Sequence, residues 1–344
     1  MDRLGWWCSC YWLFAIGVGT LWFPVGATAQ DSSLQLCLTM AANTSPIYPT
    51  QTFPSTITEL SAVFSLQPTE SFKQLESVWI AVDVGNAAPP NHEIAKATLT
   101  LNRANRGRFR YSQQRPLPVG TYRLKVLADG APWKSLDFSV VPSAPHPTLQ
   151  KPEDLFPLKR GQSWTYSFVQ EAAPGAKLAG PGLPPGADKQ VRANVVMTVA
   201  GIDQAGTHLE FRRDGTLVFE EWWQIDKKGL MATQRKPASG LVVLNPPQPL
   251  WALPLETMHN WAYTSRNPDL RFQQQYAMWG PVPLDTPQGT KPGYVVVASE
   301  PPNVTAERHW VPGVGLVKEI IIQAVSGTLV SRQEMTLTAV SPVP

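Results

Sequence analysis

Pro157-Leu158, then five further residues, then Trp164-Thr165-Tyr166 form a cassette that the chain uses twice. In the second copy, Pro254-Leu255 precedes Trp261-Ala262-Tyr263 at the same spacing. Each cassette is followed downstream by a tryptophan that leads into Gly-Leu, namely Trp223 to Gly229-Leu230 and Trp310 to Gly315-Leu316. Such self-similarity indicates that one supersecondary unit occurs twice and packs against its copy.

Short apolar and β-branched runs surround the cassettes and are separated by turn signals such as Asp214-Gly215 and Ser326-Gly327. No segment carries a 3.6-residue apolar stripe, so we expect little helix. The module 153–340 is therefore predicted to be a duplicated antiparallel β-sheet or half-barrel domain. Its predicted strands are 163–169, 191–203, 208–213, 216–225, 230–234, 241–244, 260–265, 272–279, 293–299, 305–311, 315–324 and 328–340.

Residues 33–141 predict a separate β-sandwich, because short strands recur there at the spacing typical of that fold. Trp79 lies in the most apolar of these strands and is the predicted centre of the core. The segment 142–152 is rich in proline and predicts an extended linker. The predicted strands of the sandwich are 60–66, 77–84, 95–101, 108–113, 120–128 and 135–141.

The end of the first module resembles an immunoglobulin-like domain common in exported bacterial proteins. The resemblance rests on Pro118-Val-Gly-Thr-Tyr-Arg123, on Asp129-Gly130 and on Ser135-Leu-Asp-Phe-Ser-Val140, with an upstream cysteine and a tryptophan-bearing strand. In those relatives the cysteine is often paired with a second one. Cys37 is the single cysteine beyond residue 29, so we expect a buried, inert thiol without that bridge.

The second module resembles a bacterial exported β-rich family of unknown function, the TapB-like group. Leu155-Phe-Pro-Leu158 with Gly161 and the first cassette match its opening, and Trp310-Val-Pro-Gly-Val-Gly-Leu-Val-Lys318 matches its close. Pro287-Gln-Gly-Thr290 matches its turn into a strand, with Gln in place of Ala. The second cassette departs from the pattern, because residues 257–259 lack the glycine found at Gly161. The resemblance implies a curved antiparallel sheet and no established activity.

Residues 1–29 predict an export signal. An apolar segment, Tyr11 to Phe23, precedes the small-residue site Ala27-Thr28-Ala29, so cleavage is expected before Gln30. The alternative is an uncleaved anchor, because Trp6 to Val25 is nearly long enough to span a bilayer. After cleavage we expect no membrane span. The predicted location is outside the cytoplasm, either periplasmic or extracellular.

The balance of charges excludes several classes of function. A net charge of +3 over 344 residues gives no reason to expect nucleic acid as a partner. The chain has no nucleotide-binding loop, nucleophile elbow or clustered His and Cys, so no cofactor and no metal site are expected. The five histidines are scattered along the chain: His92, His146, His208, His259 and His309.

Tryptophans are the main candidates for ligand contacts, since seven of them lie in the second module. Their flat faces could hold lipid, sugar or peptide, although a core without disulfides also needs such rings. Adjacent strand residues point to opposite faces, so Trp222 and Trp223 cannot both lie in the core. We select Trp222, Trp223 and Trp279 as the candidate ligand-binding residues.

Charged residues give weaker signals. Glu220, Glu221 and Asp226, and Glu307 beside His309, could suggest acid–base chemistry, but we expect solvated strand edges there. Arg103, Arg106, Arg108 and Arg110, with Arg115 beyond, could contact anionic lipid or polysaccharide. The expected alternative is an exposed hairpin with arginines at a sheet edge.

The sequence thus favours an exported, non-enzymatic binding protein of the bacterial envelope or exterior, whose partner is an envelope protein or a surface polymer. The alternative is a periplasmic carrier that holds an apolar ligand, such as lipid, in a curved β-sheet. A hydrolase is a third hypothesis, which requires a cleft that gathers Glu220 or Glu307 with His309.

Overall fold

A computed structural model of the chain describes residues 32–41, 44–102, 104–173, 175–176, 178, 189–237, 240–255, 260–267, 272–300, 304–325 and 328–341. The predicted export signal therefore lies outside the described residues. Within these ranges the regular structure is almost entirely strand, which confirms the all-β prediction. No helix in the described ranges is long and apolar enough to cross a bilayer. The chain divides into two compact units between Ala144 and Pro145.

The N-terminal unit contains two sheets, with strand orders β2-β1-β4-β7 and β3-β9-β8-β5-β6. Trp79 lies in its core, with its ring 5.4 Å from Tyr111 and 6.1 Å from Phe138. Cys37 is buried, and its thiol donates a hydrogen bond to the Ser61 carbonyl. The strands are β1 Ser33–Met40, β2 Pro46–Pro49, β3 Thr52–Pro54, β4 Glu59–Ser65, β5 Gln74–Asp83, β6 His92–Thr100, β7 Arg106–Ser112, β8 Gly120–Ala128 and β9 Ala131–Val141.

The C-terminal unit forms one 12-stranded antiparallel sheet, nearly closed like a barrel. Two meanders, β10 to β15 and β16 to β21, lie side by side because β10 pairs with β21. The strands are β10 Ser163–Ala172, β11 Gln190–Asp203, β12 Gly206–Arg213, β13 Thr216–Asp226, β14 Gly229–Lys236, β15 Val242–Ala252, β16 Asn260–Thr264, β17 Gln273–Thr286, β18 Gly289–Glu300, β19 Val304–Val311, β20 Gly315–Val325 and β21 Thr328–Ser341.

The two cassettes occupy corresponding places in this topology. Trp164 lies on β10 and Trp261 on β16, the first strand of each meander, while Gly229 and Gly315 begin the fifth strand of each. The first cassette is hydrogen-bonded to the segment around the Gly-Leu pair of the second copy. Trp164 Nε1 donates to the Val314 carbonyl (2.8 Å), and the Tyr166 hydroxyl donates to the Leu316 carbonyl (3.0 Å). Residues 257–259 of the second cassette lie outside the described ranges.

Aromatic rings fill one end of the barrel-like sheet, which we call the plugged end. A short 3-10 helix, Pro152–Leu155, brings Phe156 into this end. Phe156 is fully buried and lies 4.9 Å from Trp164, 5.6 Å from Trp223 and 5.9 Å from Trp310, measured between ring centroids. Trp251 stacks on Trp310 at 5.3 Å. The indole rings therefore form a shared core between the two meanders.

The observed strands agree with the predicted ones in the C-terminal unit, with two larger differences. The predicted strand 272–279 extends to Thr286 as β17. The predicted strand 241–244 extends to Ala252 as β15, through Pro246, Pro247 and Pro249. Proline lacks the N–H that a ladder needs and is tolerated on edge strands, and β15 is the last strand of the sheet order. In the N-terminal unit, the sequence patterns did not predict β1 to β3. β2 and β3 are only four and three residues long and contain proline, whereas β1 is a full strand of eight residues.

Candidate functional site

An open groove of about 780 Å³ lies at the plugged end. Its apolar lining comes from Phe156, Trp223, Ile202 and Ile225, together with Pro157 and Leu158. Five residues with charged side chains also line it: Lys151, Glu153, Asp154, Lys159 and Asp226. Mostly apolar concavities of this size, with a few polar groups, are typical of ligand and segment binding. We call this concavity the end groove.

The hairpin between β11 and β12 forms one wall of the end groove. Trp222 Nε1 donates to Asp203 Oδ2 at 3.0 Å, which ties this hairpin to β13. That hydrogen bond also holds the pKa of Asp203 below its ordinary value. Ile202, beside Asp203, leaves 65% of its surface exposed at the groove. A large apolar side chain held open in this way is a candidate contact for a partner.

Trp223 points into the barrel and forms part of the groove floor. Its ring is only 4% exposed, and its Nε1 donates to Glu221 Oε2 at 2.6 Å. Glu221 also accepts from Arg235 Nε at 2.6 Å, and both charged side chains are buried. Trp223 therefore lines the groove with the small part of its surface that is exposed, and the rest of the residue lies in the core.

Trp222 points outward, as expected for the neighbour of an inward residue. It stacks on His208 with ring centroids 4.3 Å apart and an angle of 5° between the planes. Trp279 is half-buried on β17 and does not line the end groove. Of the three candidate residues, Trp223 forms part of the groove floor, and Trp222 supports the groove wall through its hydrogen bond to Asp203. Trp279 is not part of the groove.

The expectation of solvated carboxylates is wrong for three of them. Glu220, Glu221 and Glu307 are 8%, 5% and 2% exposed, respectively. Glu220 lies on the outer face and Glu221 on the inner one, which agrees with their predicted opposite directions. The burial of Glu220 and Glu221 was missed because each is matched by a cation on a neighbouring strand, and strand pairing is not visible in sequence patterns. Glu307 contacts His309 on its own strand. Asp226 lies at the end of β13 and lines the groove.

The outer-face cluster around Glu220 consists of three groups. His208 Nε2 lies 2.7 Å and Lys236 Nζ 2.8 Å from its carboxylate oxygens. Glu307 has a similar neighbour, because His309 Nε2 lies 2.6 Å from Glu307 Oε1, but both are buried. The two carboxylates lie on β13 and β19, far apart in the strand order. Of the residues named in the hydrolase hypothesis, Glu307 and His309 are in contact, and both side chains are buried.

Glu220 gives a testable pH dependence. Burial alone would raise its pKa, but the hydrogen bonds and charges of Lys236 and His208 outweigh burial and lower the pKa below 4.5. A carboxyl with a lowered pKa stabilises the fold above its unfolded-state pKa, and this contribution is lost as pH falls through the folded-state value. We expect Glu220→Gln to be less stable than wild type at neutral pH, with the difference shrinking between about pH 5 and about pH 3. Urea unfolding across this range measures it, and a pH-independent difference would contradict the assignment.

The remaining sequence candidates are placed as follows. No group of three or more His, Cys, Asp or Glu side chains in the described ranges is arranged to hold a metal ion. The basic run lies on β7, an edge strand of its sheet, where Arg110 pairs with Glu59 at 2.5 Å. Arg108 Nη1 donates to Thr39 Oγ1 at 3.4 Å. Arg103 lies outside the described residues. These arginines lie at a sheet edge, as predicted, but not on a hairpin, because β7 pairs with β4 while β6 and β8 belong to the other sheet.

Comparisons with known proteins assign this chain to no family. No family model matches the chain, and no curated protein matches it. Solved structures similar to it include a candidate lipoprotein from Parabacteroides distasonis, with a TM-score of 0.24, 12% identity, and coverage of 54% of this chain and 98% of that one. They also include a candidate exported protein with a YmcC-like fold from Bacteroides fragilis, with a TM-score of 0.24, 12% identity, and coverage of 55% and 99%. At these scores neither likeness carries an argument about function.

Proposed function

We propose that this protein is an exported, non-enzymatic binding protein of the bacterial envelope or exterior, and that its end groove holds a segment of a partner protein. The observation that carries the proposal is the groove itself, with Trp223 in its floor and the exposed Ile202 in its wall. An apolar floor with a charged rim is the usual anatomy of a protein–protein contact.

The rim favours a polypeptide over an anionic surface polymer. Lys151 and Lys159 stand among three carboxylates, those of Glu153, Asp154 and Asp226. A polyanion would meet more negative than positive groups there, and like charges in a contact are unfavourable. A polypeptide that carries both charges can match this mixed rim, while its apolar side chains cover Ile202.

The alternative, a carrier for an apolar ligand, finds less support. Phe156, Trp164 and Trp310 occupy the plugged end of the barrel-like sheet with almost no exposed surface. Farther along the interior, buried charges such as Arg235 replace apolar surface. A lipid chain would have to displace a packed aromatic core or lie against charged groups, and both are costly.

The finer parts of the proposal rest on the sequence. Export rests on the apolar segment and small-residue site of residues 1–29. The immunoglobulin-like identity of the N-terminal unit and the internal duplication of the C-terminal unit rest on their motifs. The corresponding positions of Trp164 and Trp261 on β10 and β16 support the duplication. Catalysis is not part of the proposal.

Ile202→Asp tests the proposed groove. A charge at this exposed position adds a desolvation cost to binding without disturbing the fold. Used as bait in envelope extract, wild type is expected to recover a partner protein above background, and Ile202→Asp to recover at least about tenfold less, which corresponds to about 1.4 kcal/mol.

The matched control is Leu241→Asp, because Leu241 is also an exposed apolar residue (55%) but does not line the groove. This variant should recover the partner as wild type does. Quantitative mass spectrometry of cross-linked complexes provides the readout and maps the contact. The proposal fails if wild type recovers no partner, or if Ile202→Asp and Leu241→Asp behave alike.

A further inference from the structure

The barrel-like sheet has a seam between β15 and β16, the two ends of its strand order. The backbone bond that the described residues show across it joins Arg266 N to the Asn245 carbonyl at 2.8 Å. Tyr263 adds a hydroxyl bond to the Pro246 carbonyl at 2.9 Å. Prolines in β15 remove three of the N–H donors that a continuous ladder would need. Among the described residues, the seam thus has fewer backbone hydrogen bonds than the paired strands on either side of it.

A polar network lies directly behind this seam. Gln248, Gln274 and Tyr276 are at most 3% exposed. Gln248 Nε2 donates to Gln274 Oε1 (2.5 Å) and to the Tyr276 hydroxyl (2.6 Å), and that hydroxyl donates to Gln274 Oε1 at 2.6 Å. Burial raises the pKa of Tyr276 to about 12, against the opposing charges of Arg308 and Arg235, so the hydroxyl keeps its proton. Trp261 stacks on Tyr276 at 4.9 Å with 8° between the planes.

The network uses only part of its hydrogen-bonding capacity. Among the described residues, Gln248 Oε1, Gln274 Nε2 and Trp261 Nε1 are buried without a hydrogen-bond partner. Two cross-strand neighbours on β10 and β21, Gln170 and Gln333, likewise leave their Oε1 atoms unused and are each 3% exposed. Unsatisfied buried polar atoms are rare, and each one costs about 1–3 kcal/mol. Their concentration inside one barrel needs an explanation.

Among the described residues, two ion pairs of the interior match a cation with a carboxylate. Arg235 pairs with Glu221, and Arg308 Nε donates to Glu319 Oε1 at 2.6 Å. Both pairs lie on the inner face, and their carboxylates are at most 7% exposed. An additional charged group would therefore be buried without a counter-ion, which is strongly unfavourable. Among the described residues, the unused atoms of the interior belong to side-chain amides, to several indole Nε1 groups and to Nη1 of Arg308, a residue that pairs with Glu319 through Nε, so they comprise both donors and acceptors.

We infer that the barrel interior behind the seam is a second binding site, which takes a neutral, hydroxyl-rich ligand of the saccharide class. Hydroxyl groups both donate and accept, so neighbouring hydroxyls satisfy Gln248 Oε1 and Gln274 Nε2 together. The Trp261–Tyr276 pair supplies an apolar ring surface against which the C–H face of a sugar packs. The ligand enters where the prolines of β15 interrupt the ladder. This site is separate from the end groove and does not depend on it.

The first experiment measures binding of neutral sugars to the whole protein. The probes are glucose, galactose, N-acetylglucosamine and maltose, tested by saturation-transfer NMR and calorimetry. We expect at least one to bind with a Kd of about 1 mM or tighter. Glucuronate differs from glucose by a carboxylate and should bind at least about tenfold more weakly, because its charge has no counter-ion in the site.

The second experiment removes the polar groups at constant shape. The triple variant Gln248→Leu, Gln274→Leu, Tyr276→Phe should lose sugar binding at least about tenfold while its melting temperature stays equal or rises, since unsatisfied polar groups are replaced by apolar ones. Gln275→Leu is the matched control, because Gln275 lies between the site residues on β17 but is exposed. It should bind as wild type does.

Three results would overturn the inference. One is that no sugar in the panel binds wild type. Another is that the triple variant binds as well as Gln275→Leu. The third is a high-resolution crystal structure, grown with the sugar, that shows only ordered water at Gln248 Oε1 and Gln274 Nε2. The sugar result does not bear on the end groove, so its failure and that of the groove are distinguishable.

Discussion

Gly315→Ala is expected to destabilise the C-terminal unit by about 3–5 kcal/mol, the sum of overpacking and backbone strain. Gly315 has φ of +106°, which residues with a Cβ rarely adopt. A Cβ at this position would also overlap the ring of Phe156. Phe156 cannot move aside, because it is fully buried between Trp164, Trp223 and Trp310.

Gly289→Ala separates the two contributions. Gly289 has φ of +98°, and nothing lies within 4 Å of its would-be Cβ. It should lose only about 1–2 kcal/mol, from backbone strain alone. Thermal and urea unfolding, followed by tryptophan fluorescence, measure both variants. Equal losses for the two substitutions would show that the close approach to Phe156 contributes nothing.

Gly229→Ala extends the same test to the first copy of the Gly-Leu element. Its φ is +125°, and a Cβ there would meet the Trp251 carbonyl and approach Ala252 Cα at 3.0 Å. We expect a loss similar to that of Gly315→Ala. The two glycines explain why each copy of the pattern ends in Gly-Leu: the plugged end leaves no room for a side chain at the start of β14 or β20.

Arg235→Met is the second change with a large expected effect, a loss of about 3–5 kcal/mol. The side chains of Arg235 and Glu221 are each 7% exposed, and Arg235 Nε lies 2.6 Å from Glu221 Oε1. Removing the cation leaves a carboxylate buried inside the barrel without its main counter-charge. The same unfolding assays measure the loss.

The double variant Glu221→Gln, Arg235→Met should recover more than half of that loss. It removes the unpaired charge while the amide oxygen can still accept the hydrogen bond from Trp223 Nε1. Arg212→Met is the control for an exposed pair, since Arg212 and Glu210 are 44% and 26% exposed. That variant should change stability by less than about 1 kcal/mol. A double variant as unstable as Arg235→Met would refute the ion-pair explanation.

The sequence predicted most strands of the C-terminal unit because they are bounded by strong turn signals. Asp214-Gly215 separates β12 from β13, and Asp214 and Gly215 both adopt positive φ there, as such turns require. The opposite directions of Trp222 and Trp223 also followed from the two-residue period of a strand. Such features are local, so neighbouring residues suffice to specify them.

The candidate site was only partly predictable. Trp223 was selected as a ligand contact and does line the end groove, but its Nε1 is committed to Glu221. Trp279 was selected on the same grounds and lies away from the groove. The Gln248–Gln274–Tyr276 network gave no signal, because glutamines on strands usually face solvent. A glutamine at a buried, alternating position between apolar residues was the one available hint.

The sequence by itself determined that this chain folds into strands, where most of them lie, and which residues repeat, because these properties depend on local periodicity and turn chemistry. Only the tertiary structure decided that β10 pairs with β21, that Arg235 meets Glu221 and that the glutamines face one interior. Those contacts join residues far apart in the chain, and pairing across strands sets them. Burial then gives them their energetic weight, since an unmatched charge or amide costs far more inside the barrel than in water.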